Sequence, residues 1–191
     1  DVIPSCVRIA RKGMSTFRGL QRVTLPDGLE EIGPYAFAHT SLAEFKAPCN
    51  LRTVGERAFF DCGKLSHVCL NDGLLRIEAD AFSSTALSEL TIPASIEELK
   101  YPLAAGCGLT FSGEKATCRI TEGSEHLWFD EQGGLYRNGS EGPTLVYAMD
   151  EAAETFDVPE GTVEVAAHAF EKHVKLRHVS FPKSLIRIGE S

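Results

Sequence analysis

One interval organises this chain: an aliphatic residue recurs every 22 or 23 positions, five places before a Phe or its stand-in. Ile32 leads to Ala36-Phe37, Val54 to Ala58-Phe59, Ile77 to Ala81-Phe82 and Val165 to Ala169-Phe170. Ile9 leads to Gly13-Met14 with the same gap, so Met14 fills the Phe slot, and Ile188 begins a further unit. The markers Ile9, Ile32, Val54, Ile77 and Leu99 stand 23, 22, 23 and 22 residues apart, and Val165 to Ile188 is 23 again. The 66 residues between Leu99 and Val165 equal three such steps, as degenerate repeats or by coincidence. A fixed period of about 20–50 residues signals stacked repeats, because one unit holds too few apolar residues to bury a core alone.

A second pattern follows each Phe. Leu20-x-x-Val23-x-Leu25, Leu42-x-x-Phe45-x-Ala47, Leu65-x-x-Val68-x-Leu70, Leu87-x-x-Leu90-x-Ile92 and Leu176-x-x-Val179-x-Phe181 share one frame. The alternation predicts a short strand with one face inward. Pro26, Pro48, Pro93, Pro159 and Pro182 follow it, with Asn71 in the remaining copy, and proline cannot continue a strand ladder. Stacked copies would bury Phe, Leu and Ile in columns, with the Ala before each Phe small because neighbouring coils approach closely there.

Between Leu99 and Val158 the pattern decays. Leu127-Trp128-Phe129, Gly134-Leu135-Tyr136 and Leu145-Val146-Tyr147 are short apolar runs separated by Gly- and Asn-rich turns, which predicts a β-hairpin insertion over 112–157. The register resumes at Val158-Pro159-Glu160-Gly161. The expected organisation is a single domain over 1–191, with repeats at about 7–111 and 158–191. The chain stops at Gly189-Glu190-Ser191 before its next Ala-Phe and without a polar cap, which fits a fragment, an atypical cap or end-to-end pairing.

The frame of Ile32, Ala36-Phe37, Leu42 and Phe45 with Pro48 resembles the BspA-like leucine-rich-repeat family. Cys62 stands in that family's Cys-like slot, which Thr40, Thr85 and His173 take in other copies. Gly133-Gly134-Leu135-Tyr136 with Leu145-Val146-Tyr147 is similar to an interrupting segment found in such proteins. The resemblance covers about residues 7 to 111 and 127 to 189. It implies a leucine-rich-repeat solenoid, an α/β-type right-handed superhelix with a parallel β-sheet on the concave face and short helical or irregular turns on the convex side. It also implies export to a bacterial cell surface, hence an extracellular or cell-surface location, and adhesion to a protein or glycan on a host or neighbouring cell. Asp1-Val2-Ile3-Pro4 carries no signal-peptide pattern of its own.

Charge narrows the partners. Residues 112–160 hold 11 acidic and 3 basic residues, while the rest holds 16 of each, for a net charge of -8. An acidic block repels phosphate backbones, so nucleic acid is not expected, despite the short basic cluster Arg8, Arg11, Lys12, Arg18 and Arg22. No apolar run is long enough to span a bilayer. The six cysteines form no C-x-x-C pair and no zinc spacing with histidine, and they read as free thiols acting as small hydrophobes.

No catalytic frame meets its spacing rules. Gly108 to Ala116 misses a phosphate-binding loop, because Lys115 is one place late and no Ser or Thr follows it. Asp130-Glu131 and Asp150-Glu151 with Glu154 lack calcium-loop spacing and read as a solvated acidic face. Asn138-Gly139-Ser140 is formally a glycosylation sequon that a turn explains. No enzyme activity, cofactor or metal is expected. The expected binding surface is the outward face of the strands: Arg22 and Thr24, Glu44 and Lys46, His67 and Cys69, Glu89 and Thr91, His178 and Ser180. Trp128, Tyr136 and Tyr147 offer either an aromatic anchor for a partner or the pin that holds the hairpin, with the pin favoured. The alternative to a binding scaffold is a structural spacer within a larger surface protein.

Overall fold

The computed structural model describes residues 6–111 and 116–189. The chain divides into two compact units, Asp1–Leu109 with Thr121–Ser124, and Thr110–Ile120 with Glu125–Ser191. The division falls where the repeat register lapses, and each unit is described by itself.

In the first unit the markers become strands. β1 (Arg8–Ile9), β2 (Glu31–Ile32), β4 (Thr53–Val54), β6 (Arg76–Ile77) and β8 (Glu98–Leu99) form a parallel sheet, in the order β1-β2-β4-β6-β8. Ile9, Ile32, Val54, Ile77 and Leu99 lie side by side across it. The Leu-x-x-Val frame supplies β3 (Glu44–Lys46), β5 (His67–Cys69) and β7 (Leu90–Ile92), with Phe45 opposite Val68. A further ladder runs through the Phe slot: Met14 N–H donates to Ala36 O at 2.7 Å, Phe37 to Ala58 at 2.8 Å, Phe59 to Ala81 at 2.9 Å and Phe82 to Leu103 at 3.1 Å. Phe37, Phe59 and Phe82 are wholly buried. They form a column, with Phe37 on Phe59 at 5.3 Å and Phe59 on Phe82 at 5.4 Å, their planes within 11° and 8°.

The short helices admitted on the far side are absent: no helix occurs among the described residues. The cause is local. Lys12, Tyr35, Arg57 and Asp80, each three places after a marker, have positive φ, as do His39, Asp61 and Ser84 four places further on. Two left-handed residues per coil stop helical hydrogen bonding from propagating. The Cys-like slot is buried and serves the backbone. Thr40 Oγ1 and Cys62 Sγ both donate to Phe37 O, at 2.8 and 3.1 Å, and Thr85 Oγ1 donates to Phe82 O at 2.8 Å. Burial pushes the Cys62 thiol pKa up, which keeps it an inert packing group.

The second unit contains β9 (Cys118–Ile120), β10 (Leu127–Phe129), β11 (Gly134–Arg137), β12 (Thr144–Ala148), β13 (Thr155–Asp157), β14 (Glu164–Val165), β15 (His178–Ser180) and β16 (Arg187–Ile188). β10, β11 and β12 form an antiparallel meander, but β12 then pairs in parallel with β14, and β14 with β16. Leu145, opposite Val165, takes the marker slot. Position 143, where an exact 22-residue step back from Val165 would fall, does not, so regular coils do not fill the 66-residue interval. β13 pairs in parallel with β15, Phe156 opposite Val179, so the repeat register resumes at Thr155, inside the stretch assigned to the insertion. The predicted hairpin is thus built into the repeat sheet. Tyr136, Leu145, Phe156, Val158 and Val165 share one core, with Trp128 and Phe170 packed against it.

Candidate binding face

Strand alternation in the first unit turns Phe45, Val68 and Leu90 inward and leaves Glu44, Lys46, His67, Cys69, Glu89 and Thr91 exposed. Arg22 and Thr24 are exposed in the same slots of the first coil. The structure brings these predicted positions together. Arg22, Glu44, Lys46, His67, Glu89 and Thr91 line a hollow of about 690 Å³. Thr24 lines a second hollow of about 840 Å³, with Lys46, Cys49, Cys69, Asn71 and Asp72. His178 is exposed on β15 of the other unit, opposite Thr155, and lines neither hollow. Sequence reasoning missed Cys49 and Asp72. Both lie in the turn just after the strand, and the periodicity that marks strand faces does not reach there.

The charges of the first unit fall into two classes. Around the marker sheet they pair from coil to coil: Arg8 with Glu31 at 2.8 Å, Arg57 with Asp80 at 2.9 Å, Arg76 with Glu98 at 3.5 Å and Lys100 with Glu78 at 2.8 Å. Hydrogen bonding to Glu78 raises the Lys100 pKa, and hydrogen bonds to Tyr35 and Asp80 raise that of Arg57. On the strand face, Arg22, Glu44, Lys46, His67 and Glu89 make no hydrogen bond or ion pair through their side chains among the described residues. Neighbouring coils of a β-ladder lie about 4.8 Å apart on both faces, so coil spacing does not explain the difference.

The aromatic residues of the meander form core. Tyr136 is wholly buried, stacks on Trp128 at 4.4 Å and donates its hydroxyl to Asp130 Oδ2 at 3.0 Å. Trp128 Nε1 donates to Asn138 Oδ1 at 3.1 Å. Tyr147 is 4% exposed and donates its hydroxyl to the Glu171 carbonyl. Tyr136 and Tyr147 thus have almost no exposed surface, and Trp128 packs against the same core as Tyr136.

These phenols make the second unit sensitive to alkali. Burial, with Glu171 beside it, pushes Tyr147 up to about 12, and burial with Asp130 pushes Tyr136 up as well. A phenol that ionises near pH 10 in the unfolded chain stays protonated longer in the fold. Its contribution is complete below about pH 10 and disappears as pH climbs toward about 12. The melting temperature should fall across that window, and Tyr147→Phe should flatten part of the fall. A melting temperature that stays level from about pH 9 to 12 would contradict this.

The acidic clusters serve their own turns. Asp130 Oδ1 accepts from Gln132 N at 2.9 Å and Gly134 N at 2.7 Å, and Asp150 Oδ1 accepts from Ala152 N at 3.0 Å. Among the described residues no group of three or more His, Cys, Asp or Glu is placed to hold a metal ion. All six cysteines are free thiols, with Cys62 and Cys118 buried and Cys49 and Cys69 exposed. Gly113, Glu114 and Lys115 of the phosphate-loop near miss lie outside the described residues. No helix among the described residues is long and apolar enough to cross a membrane.

A family model described as the BspA type leucine rich repeat region matches residues 2–110 and 146–191 in six copies. A leucine-rich cell surface protein of Faecalibacterium prausnitzii A2-165 aligns at 27% identity and a TM-score of 0.61, covering 95% of this chain and 47% of that one. The pneumococcal vaccine antigen PcpA shares the fold, with 22% identity and a TM-score of 0.62, over 96% of this chain and 56% of its own. The chain thus spans about half the length of these two structures. No curated protein matches it.

Proposed function

We propose, from the premise that this chain belongs to the BspA-type leucine-rich-repeat family, that it is a non-catalytic binding scaffold. It acts at a bacterial cell surface and recognises a protein or glycan on a host or neighbouring cell through the outward strand face of the first unit. One observation carries the reading. The charges of the marker sheet satisfy one another between coils, while Arg22, Glu44, Lys46, His67 and Glu89 stand around one hollow with no side-chain partner among the described residues. Charges without internal partners and ringing a concavity keep their full interaction free for a second molecule. The cell-surface description of the F. prausnitzii relative supports the location.

The test is charge reversal. Wild type and the double variant Glu44→Lys with Glu89→Lys are compared for binding to a panel of purified host surface and matrix proteins and immobilised glycans. The variant should bind at least about tenfold more weakly, with an unchanged melting temperature because both sites are exposed. A partner held equally well by both proteins would move the site off this face.

A further inference from the structure

We infer that the hollow takes an extended peptide segment, with a basic side chain seated over His67 between Glu44 and Glu89 and an acidic side chain two residues away meeting Lys46. This rests on the strand face being the binding face, and it adds what the occupant must carry.

The seat follows from register. Glu44 lies opposite His67 in the parallel pairing of β3 and β5. The repeat frame puts Glu89, directly before β7, in the same outward slot of the next coil. With coils about 4.8 Å apart, the two carboxylate positions lie about 10 Å apart with the imidazole position midway. A cation above His67 is then within reach of both carboxylates, and neither has a partner to give up among the described residues. An arginine there also lays its planar guanidinium along the imidazole ring.

The second contact follows from the strand rise. Lys46 is two residues beyond Glu44 on the same exposed face. Same-face side chains of an extended strand repeat about every 6.6 Å, at about 3.3 Å per residue. An extended peptide lying along the strands has the same repeat. When its basic residue fills the seat, its next same-face side chain comes to the row that holds Lys46 and Cys69, where a carboxylate is complementary.

The lining also selects against the other occupants. Phe45 is the aromatic ring of the hollow, and it is 3% exposed. No Phe, Tyr or Trp face on the lining is therefore open for a sugar to stack on, which favours polypeptide over glycan. The carboxylates of Glu44, Glu89 and Asp72 on its lining oppose a polyphosphate.

The experiment is selection of random peptides of about twelve residues on the intact chain. Recovered sequences should be enriched in Lys or Arg separated by one residue from Asp or Glu. Their binding should fall at least about tenfold on Glu44→Gln with Glu89→Gln, and again on His67→Lys, which places a cation in the seat. Selection on Lys46→Glu should turn the second preference from acidic to basic. All these sites are exposed, and unchanged melting temperatures would confirm intact folding. No enrichment, or enrichment that these substitutions leave untouched, overturns the inference. A protein partner that the Glu44→Lys, Glu89→Lys double variant loses, but whose footprint lacks the basic–acidic pair, overturns it while leaving the binding face standing. A partner indifferent to the double variant removes both.

Discussion

Replacing Phe59 with Ala lowers stability by about 3–5 kcal/mol, the usual cost of emptying a core aromatic site. The ring is wholly buried, stacked between Phe37 at 5.3 Å and Phe82 at 5.4 Å, and it meets Phe45 at 4.6 Å. The space it leaves cannot easily close. The coils on either side are held apart at ladder spacing by main-chain bonds, from Phe37 N–H to Ala58 O and from Phe59 N–H to Ala81 O. The neighbouring rings can tilt, but the backbone cannot collapse onto the gap, so most of the cavity penalty remains. For a chain of this size each kcal/mol moves the melting point by about 2–4 °C, so a drop of about 10 °C is expected. Phe170→Ala in the second unit should cost less, because that ring is only half-buried. A Phe59→Ala protein that melts with the wild type would contradict the stacked column.

Gly55→Ala should cost about 3 kcal/mol, at the upper end of ordinary overpacking. A Cβ at Gly55 would stand 2.8 Å from three backbone atoms of the coil before it, Gly33 C, Ile32 O and Pro34 N. None of these can swing aside as a side-chain tip does. The coils must part, and the bond from Gly55 N–H to Ile32 O, now 2.8 Å, must stretch. Gly63 is the internal control: a Cβ there meets nothing within 4 Å. Gly63→Ala should therefore be neutral or stabilising by about 0.4–1 kcal/mol, through the unfolded chain. Denaturant titration of the two variants separates these outcomes, and equal stabilities would remove the close approach as a constraint. Glu78 and Lys100 hold the same slot in later coils of the first unit, whereas Gly189 holds it in the second, where a Cβ would stand 2.3 Å from Ala167 N, so glycine is needed only where the preceding coil comes this close.

The columns were legible because inward residues are chosen for size and apolarity, and those properties repeat at the coil length. Ile32, Val54 and Ile77 declare the marker sheet, and Phe37, Phe59 and Phe82 the aromatic column, before any coordinate is known. The left-handed positions gave no such signal. Tyr35, Arg57, Asp80 and His168 hold them where glycine would have been the expected mark. Their amides show why they are tolerated: Tyr35 N–H donates to Glu56 O at 2.9 Å and Arg57 N–H to Ala79 O at 3.0 Å, in the next coil. A partner some 20 residues away imposes the conformation, and local sequence does not record it. The way the hairpins join the repeat sheet was illegible for a related reason. Hairpin signals at Asp130–Gly134 and Asn138–Gly139 are local, whereas the parallel pairing of Thr144–Ala148 with Glu164–Val165 is a long-range choice.

The candidate face divides in the same way. Alternation along the strand places Glu44, Lys46, His67 and Glu89 outward, and that much is written in residue order. Residue order does not show whether an outward charge is neutralised by its neighbour. Arg76 with Glu98 and Arg22 with Glu44 both set opposite charges in one slot of adjacent coils, yet only the first pair meets among the described residues, at 3.5 Å. Sequence by itself determined the length of the coil and which side chains it hides, because burial follows a period along the chain. Tertiary structure decided which outward charges pair among the described residues and which aromatic residues are buried, because both depend on how side chains from separate coils reach one another across a few ångströms.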